Sequence, residues 1–295
     1  MDFAGVFPPV PTPFRDDEVD TGALGDNIRQ LLTTRLRGIV VLGSNGEAPF
    51  LDEDESVRIV AAARAVVPAD RPLVAGTGRQ ATRATVLATR RAADAGADAV
   101  LVRTPSFFKS DMTADAFVRH YTTVADASPV PVLLYNYTAL TGVTLPAAAV
   151  AELSAHPNIA GMKESGNDMA LVADYVAQAR PPFAVLTGSG QSFLSGLLLG
   201  AVGAILALAV VVPDLCIQVF DLAAAGRVSE AADLQRRLLP LARAITSRFG
   251  VAGLKVAQQV AGYAGGPARG PLLPAPPDAA PVIRQLLLDL QVPVA

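Results

Sequence analysis

Lysine is scarce in this chain of 295 residues. Only Lys109, Lys163 and Lys255 carry an ammonium, and arginine supplies the rest of the positive charge. Such scarcity points to a place where a guanidinium will not serve, because an amine can shed its proton and attack a carbonyl. Lys163 closes the apolar run Ile159-Ala160-Gly161-Met162, between Pro157 and Gly166. That pattern reads as a buried strand running out into a loop. Free in water, with a pKa near ~10.4, a lysine amine is unprotonated at pH 7 in roughly one molecule in a few thousand. Burial can lower that value by as much as ~3–5 units, which turns the amine into a Schiff-base nucleophile. The stretch alone also suits a solvated strand-end lysine with its stem laid along apolar surface.

The elements that would position such a lysine follow one rhythm. Apolar runs at Val6–Val10, Gly38–Gly43, Pro72–Gly76, Ala99–Val102, Val130–Tyr135, Ile159–Lys163, Phe183–Thr187 and Gly203–Ala207 read as eight short strands. Helical segments separate at least seven of them. Asp20 or Thr21 can cap a first helix, Asp52 caps another with Glu55 completing a capping box, and a helix is expected over Thr113–Ala127. Regular β-α alternation means parallel strands with helical crossovers. The predicted fold class is therefore α/β, a (β/α)8 TIM barrel with a C-terminal helical extension. An open doubly wound sheet is the alternative. The expected division is residues 1–225 for the barrel with its site and 226–295 for helices packed on it. Those helices are expected over Ser229–Phe249, Gly253–Tyr263 and Asp278–Leu290.

In a barrel, chemistry sits where strands end. The second strand delivers Gly43-Ser44-Asn45-Gly46-Glu47, the third Gly76-Thr77-Gly78, the fourth Thr104-Pro105-Ser106-Phe107, and the fifth Tyr135-Asn136. Lys163 and Ser165 come from the sixth, Gly188-Ser189-Gly190 from the seventh. A lysine, a phenol and a Ser-Asn loop converge on one rim. Glu47 and Glu164 are the acidic residues there, and alternation sends Glu164 to the face opposite Lys163. Taken singly, Tyr135 could be a core residue and the glycine clusters could be turns. Neither GxG stretch completes a dinucleotide fingerprint. His120 and His156 stand alone and there is no His/Cys/Asp cluster, so no metal site is expected.

Composition excludes further classes. A net charge of -3 and pI near 5.4 argue against a nucleic-acid or anionic-membrane partner. The single cysteine, Cys216, permits no intrachain disulfide and suits a reducing, cytoplasmic setting. The start, Met1-Asp2-Phe3-Ala4-Gly5, has no signal-peptide pattern. The apolar stretch from Phe193 to Val212 is broken by Ser195, Gly196, Gly200 and Gly203, and reads as a buried helix followed by a buried strand.

These residues resemble the dihydrodipicolinate synthase / N-acetylneuraminate lyase superfamily of pyruvate-dependent class I aldolases. The carriers are Gly43-Ser44-Asn45-Gly46-Glu47, Tyr135-Asn136 with Thr141-Gly142, and Gly161-Met162-Lys163-Glu164-Ser165, in the right order along nearly the whole chain. Ala48-Pro49-Phe50-Leu51, His156-Pro157-Asn158-Ile159, Arg248-Phe249-Gly250 and Gly253-Leu254-Lys255 narrow the likeness to 4-hydroxy-2-oxoglutarate aldolases. The resemblance implies no metal and no cofactor, and a homotetramer. Lys163 would form the imine with pyruvate or another 2-oxo acid. Tyr135 would shuttle the proton, positioned by Ser44. Ser44 and Asn45 would hold the 2-oxo acid's carboxylate, Ile205 would line the pyruvate pocket, and Ser165 would face the distal part of the substrate.

Departures bear on substrate choice. Leu140 stands where the synthases carry an arginine for the carboxylate of aspartate semialdehyde, and Gln191 follows Gly188-Ser189-Gly190 where sialic acid lyases place acidic residues. Phe107 replaces the tyrosine that completes the synthases' proton relay through a neighbouring subunit. The expected activity is reversible cleavage of a 4-hydroxy-2-oxo acid, such as 4-hydroxy-2-oxoglutarate, to pyruvate and an aldehyde. The alternatives are a synthase-type condensation, a dehydratase acting on a sugar-derived 2-oxo acid, or a non-catalytic 2-oxo-acid sensor.

Overall fold

Eight apolar runs become eight parallel strands in the computed structural model, which describes residues 1–295. They are β1 (Gly5–Phe7), β2 (Ile39–Val41), β3 (Leu73–Gly76), β4 (Ala99–Arg103), β5 (Val132–Asn136), β6 (Ile159–Glu164), β7 (Ala184–Thr187) and β8 (Gly203–Ile205). Each pairs with the next, and β1 pairs with β8 in the register Gly5↔Gly203. The ring closes between the end of β1 and β2, where Val40 N–H donates to Pro8 O at 3.1 Å and Val10 N–H donates to Val40 O at 2.8 Å. The first strand was expected to run through Val10; the ladder stops at Phe7 because prolines bring no N–H, and only a bridge at Pro9 continues it.

Helices follow the strands: α1 (Thr21–Leu31), α2 (Glu53–Arg64), α3 (Thr82–Asp94), α4 (Ala114–Ala127), α5 (Ala147–Leu153), α6 (Met169–Gln178), α7 (Phe193–Leu198) and α8 (Pro213–Ala224). Of the two caps offered for α1, Asp20 serves, accepting from Ala23 N, and the Asp52–Glu55 capping box is formed on both sides. Thr113, expected as the first helical residue of α4, caps it instead, accepting from Ala116 N. Pro146, expected as the first helical residue of α5, sits one position earlier as its cap. No helix is long and apolar enough to cross a membrane.

Alternation along each strand divides the apolar residues into two layers. Residues such as Val41, Val100, Val102, Leu134, Met162 and Val185 face the helices. Phe7, Val40, Val74, Leu101, Leu133, Tyr135, Leu186 and Ile205 fill the barrel interior. One irregularity shifts this alternation. Val132 pairs with Ile159, but the next residue, Leu133, pairs with Gly161, so Ala160 is an extra residue in β6. Ala160 packs with the interior layer although Ile159 and Met162 belong to the outer one. Beyond this bulge Lys163 lies between Tyr135 of β5 and Leu186 of β7, both interior residues. A bulge bends the strand and re-aims its side chains; here it sets Lys163 inward.

After α8 come α9 (Val228–Arg243), a π-helical turn at Ala244–Arg248, α10 (Gly250–Val260) and α11 (Ala279–Asp289). The helix expected over Ser229–Phe249 is thus α-helical to Arg243 and continues as the π-helical turn to Arg248, one residue short of the expected end. Gly250 takes φ +59° there, a left-handed conformation that turns the chain and starts α10 three residues before the expected Gly253. We propose the turn between α8 and α9 as the boundary between barrel and extension. The extension is fastened to α1 by a reciprocal pair, Asn27 Nδ2 to Ala264 O and Ala264 N to Asn27 Oδ1, each 2.8 Å.

Candidate active site

Lys163, the last residue but one of β6, lies deep in the barrel mouth, only 5% exposed, with Nζ 4.5 Å from the centre of the Tyr135 ring. The register of β5 and β6 places them side by side. The Tyr135 hydroxyl lies 3.1 Å from Ser44 Oγ, a hydrogen bond that crosses from β5 to the loop after β2. Three of the expected residues are thus one contiguous set.

The Ser44 loop is held by unusual backbone. Leu42 and Glu47, on either side of Gly43–Gly46, both take left-handed conformations, with φ of 57° and 56°. Non-glycine residues there cost of order 1–3 kcal/mol each and persist where the surroundings fix them. One fixing contact is Thr12 Oγ1 donating to Gly46 O at 2.7 Å. Another is steric: a Cβ on Gly76 would stand 1.8 Å from Leu42 O, so only glycine lets the Leu42 carbonyl pack there. Asn45 is half-buried within the loop, and its side chain bonds to no other part of the chain.

Gly188 has a comparable role beside the lysine. A Cβ there would lie 2.1 Å from Ser165 Oγ and 2.7 Å from Lys163 Cε. Ser165 is buried at 8% and anchored by its N–H to Asn136 O at 3.0 Å. Ile205 is buried in the interior layer with Tyr135 and Leu186. Gln191 turns away to donate to Ser247 Oγ at 2.9 Å.

The acidic residues leave the rim. Glu164 is on the outer face, as alternation requires, accepting from Asn136 Nδ2 at 2.6 Å and Gly166 N at 2.5 Å. Burial raises its pKa despite those two donors. Glu47 is turned outward too, 1% exposed, and pairs at 2.5 Å with Lys255, itself 1% exposed. Burial lowers the Lys255 pKa, opposed by Glu47. Arg269 joins them: its N–H donates to Glu47 Oε2, and its guanidinium grips both carboxylate oxygens of Glu55 at 2.8 Å. Lys255 is therefore a packing cation, and lysine scarcity alone does not single out chemistry.

Sequence reasoning missed Arg103 and Tyr137. Tyr137 stacks on Tyr135 with ring centres 6.3 Å apart. Arg103, the last residue of β4, is paired in register with Tyr135. It lines a cavity of about 350 Å³ together with Ser44, Tyr135, Arg79 and Glu53. The signal was present: in a strand, Leu101 and Arg103 share a face, and Leu101 is an interior residue. Phe107 and Phe108 are 76% and 66% exposed at the tip of the next loop. Gln80 Oε1 holds that loop by accepting from Ser106 N and Phe107 N. Leu140 is exposed at the rim. No group of three or more His, Cys, Asp or Glu side chains converges as metal ligands do.

Comparison with known proteins agrees with this architecture. The profile described as the dihydrodipicolinate synthetase family matches residues 2–289. A probable mitochondrial 4-hydroxy-2-oxoglutarate aldolase of Emericella nidulans is 37% identical over 283 residues, 94% of this chain and 91% of that one. A 4-hydroxy-tetrahydrodipicolinate synthase of Methanothrix thermoacetophila is 36% identical over 290 residues, 98% of this chain and 97% of its own. Among solved structures, a prophage protein of the dihydrodipicolinic acid synthase family from E. coli, in complex with pyruvate, superposes with a TM-score of 0.92 at 29% identity. That match covers 98% of this chain and 99% of the other. The chain belongs to the dihydrodipicolinate synthetase family. It is a pyruvate-dependent carbon–carbon lyase of the class I aldolase type, a chemistry that runs through a lysine imine and needs no cofactor.

Proposed function

We propose that this family member reversibly cleaves 4-hydroxy-2-oxoglutarate to pyruvate and glyoxylate, with Lys163, Tyr135 and Ser44 as its catalytic residues. The carrying observation is the contiguity of the three: Lys163 Nζ against the Tyr135 ring, and the Tyr135 hydroxyl on Ser44 Oγ. In this reading the Lys163 amine attacks the keto carbon and water leaves, giving an iminium. Tyr135, left as the phenolate after giving its own proton to that departing water, takes the proton of the 4-hydroxyl. The electrons of the bond between the third and fourth carbons pass into the iminium, which becomes an enamine as the aldehyde departs. Tyr135 returns the proton to the enamine carbon, and water hydrolyses the imine to release pyruvate and the free amine. Ser44 and Asn45 hold the 2-oxo acid's carboxylate, Ser165 faces the remainder of the substrate, and Ile205 and Gly188 leave a slot of pyruvate size. Phe107 offers no hydroxyl, so water carries protons between Tyr135 and solvent.

The name of the Emericella relative supports the substrate. The second reading, condensation of pyruvate with aspartate semialdehyde, is favoured by the name of the Methanothrix relative and disfavoured by uncharged Leu140. We place the enzyme in a reducing compartment, the cytoplasm, and assign it the tetrameric assembly that the resemblance implies. Exposed Phe107 and Phe108 offer apolar surface to a neighbouring copy. The deciding experiment is borohydride reduction in the presence of pyruvate, followed by peptide mass spectrometry. A pyruvyl adduct on the Lys163 peptide, absent from Lys163→Ala, is the expected result. A folded protein that yields no adduct would sink this reading. An aldehyde screen starting with glyoxylate then separates the two substrates.

A further inference from the structure

Arg103 enters the barrel mouth from β4, one strand from Tyr135 and two from Lys163. Its surroundings hold no counter-ion for it. The one carboxylate lining the same cavity, Glu53, is taken by Arg79, which reaches both its oxygens at 2.8 and 3.2 Å. Arg103 makes neither an ion pair nor a hydrogen bond with another side chain, whereas the largely buried side chains of Arg64, Arg79 and Arg269 each pair with a carboxylate. Burial lowers the Arg103 pKa, the charge interaction with the Tyr135 phenol opposes this, and nearby Arg79 lowers it further. A guanidinium stays charged in such a place. Keeping a partly desolvated cation without a partner costs free energy unless an anion arrives.

The anion's chemistry follows from its position. The carboxylate next to the keto carbon already has donors in the Ser44 loop. Arg103 lines the same cavity as Ser44 and Tyr135, from the β4 side. Its planar fork matches a carboxylate in two-point fashion. Leu140 is uncharged and exposed at the rim, so no cation there competes for the role. We propose that Arg103 is a specificity-determining residue that binds a carboxylate on the aldehyde half of the substrate, so that the enzyme takes carboxylate-bearing aldehydes ahead of neutral ones. This rests on the aldolase reading above.

The test pairs two aldehydes of similar size, glyoxylate and glycolaldehyde, each condensed with pyruvate by the full chain. The wild type is expected to favour glyoxylate. In Arg103→Met, kcat/KM for glyoxylate should fall roughly 30- to 100-fold, the loss typical of a charged hydrogen-bonded contact. Turnover of glycolaldehyde and the borohydride-trapped pyruvate adduct should stay near wild type, and Arg103→Lys should recover part of the loss. Equal losses for both aldehydes, no loss for either, or a wild-type preference for glycolaldehyde would overturn the assignment of Arg103. Absence of the pyruvate adduct from the wild type is a different failure: it removes the aldolase reading itself.

Discussion

The Tyr135 hydroxyl has one hydrogen-bond partner from the chain, Ser44 Oγ. A phenol so held can trade a proton with a substrate hydroxyl without reorienting, and general acid–base groups of this kind contribute about 100- to 10,000-fold. Tyr135→Phe is expected to lower kcat for aldol cleavage by that order while pyruvate still forms its adduct with Lys163. Steady-state kinetics beside borohydride trapping will check the separation. At this scale the sequence was partly legible. Lys163, Tyr135 and Ser44 were recognisable because strand ends are where a barrel gathers polar groups. Arg103 was hidden because arginine was read as the chain's surface charge, and its inward face becomes visible only once the phase of β4 is fixed by Leu101.

The loop that carries Ser44 depends on an element distant in sequence. Lys255 on α10 and Arg269 beyond it meet Glu47 at the loop's end, and Lys255 also donates to Pro267 O at 2.6 Å. Removing one partner of a buried pair strands the other charge, at about 3–5 kcal/mol. Lys255→Met should lower the urea midpoint accordingly and raise KM for pyruvate as the loop loosens. The double change Lys255→Met with Glu47→Gln should recover much of the stability, since no charge is left unpaired. The helices and strands behind this arrangement could be read from apolar runs, caps and the capping box. The extension's grip on Glu47 could not, because it joins residues more than two hundred positions apart. Nor could the break before α10, which turns on a single left-handed glycine.

For the whole molecule, acid stability is the measurable consequence of what the fold buries. Burial lowers the His120 pKa to about 4, while Thr82 holds its Nδ1 at 2.9 Å. In the unfolded chain the value is near ~6.5. A depressed folded-state pKa means that the contribution to stability is complete above ~6.5 and is lost as pH falls toward 4. The slope from this one proton is at most about 1.4 kcal/mol per pH unit. Glu164, raised by burial, works in the opposite sense, and Glu55, held down by Arg269, adds its own loss only below its ordinary range. Comparing His120→Asn with wild type isolates the histidine: urea midpoints between pH 6.5 and 4.5 should decline less steeply in the variant.

The extra residue in β6 has a consequence of its own. Whether a side chain meets substrate or helix in a strand is a question of parity, odd or even, counted from wherever the ladder is in step. Ala160 changes that count just upstream of Lys163. In the proposed mechanism the nucleophile's identity is thereby written in two places: in the amine itself, and in a small residue that decides which neighbour, lysine or glutamate, faces the cavity. A chain with the same letters and the other parity would present a carboxyl to the cavity and hide its amine among the helices.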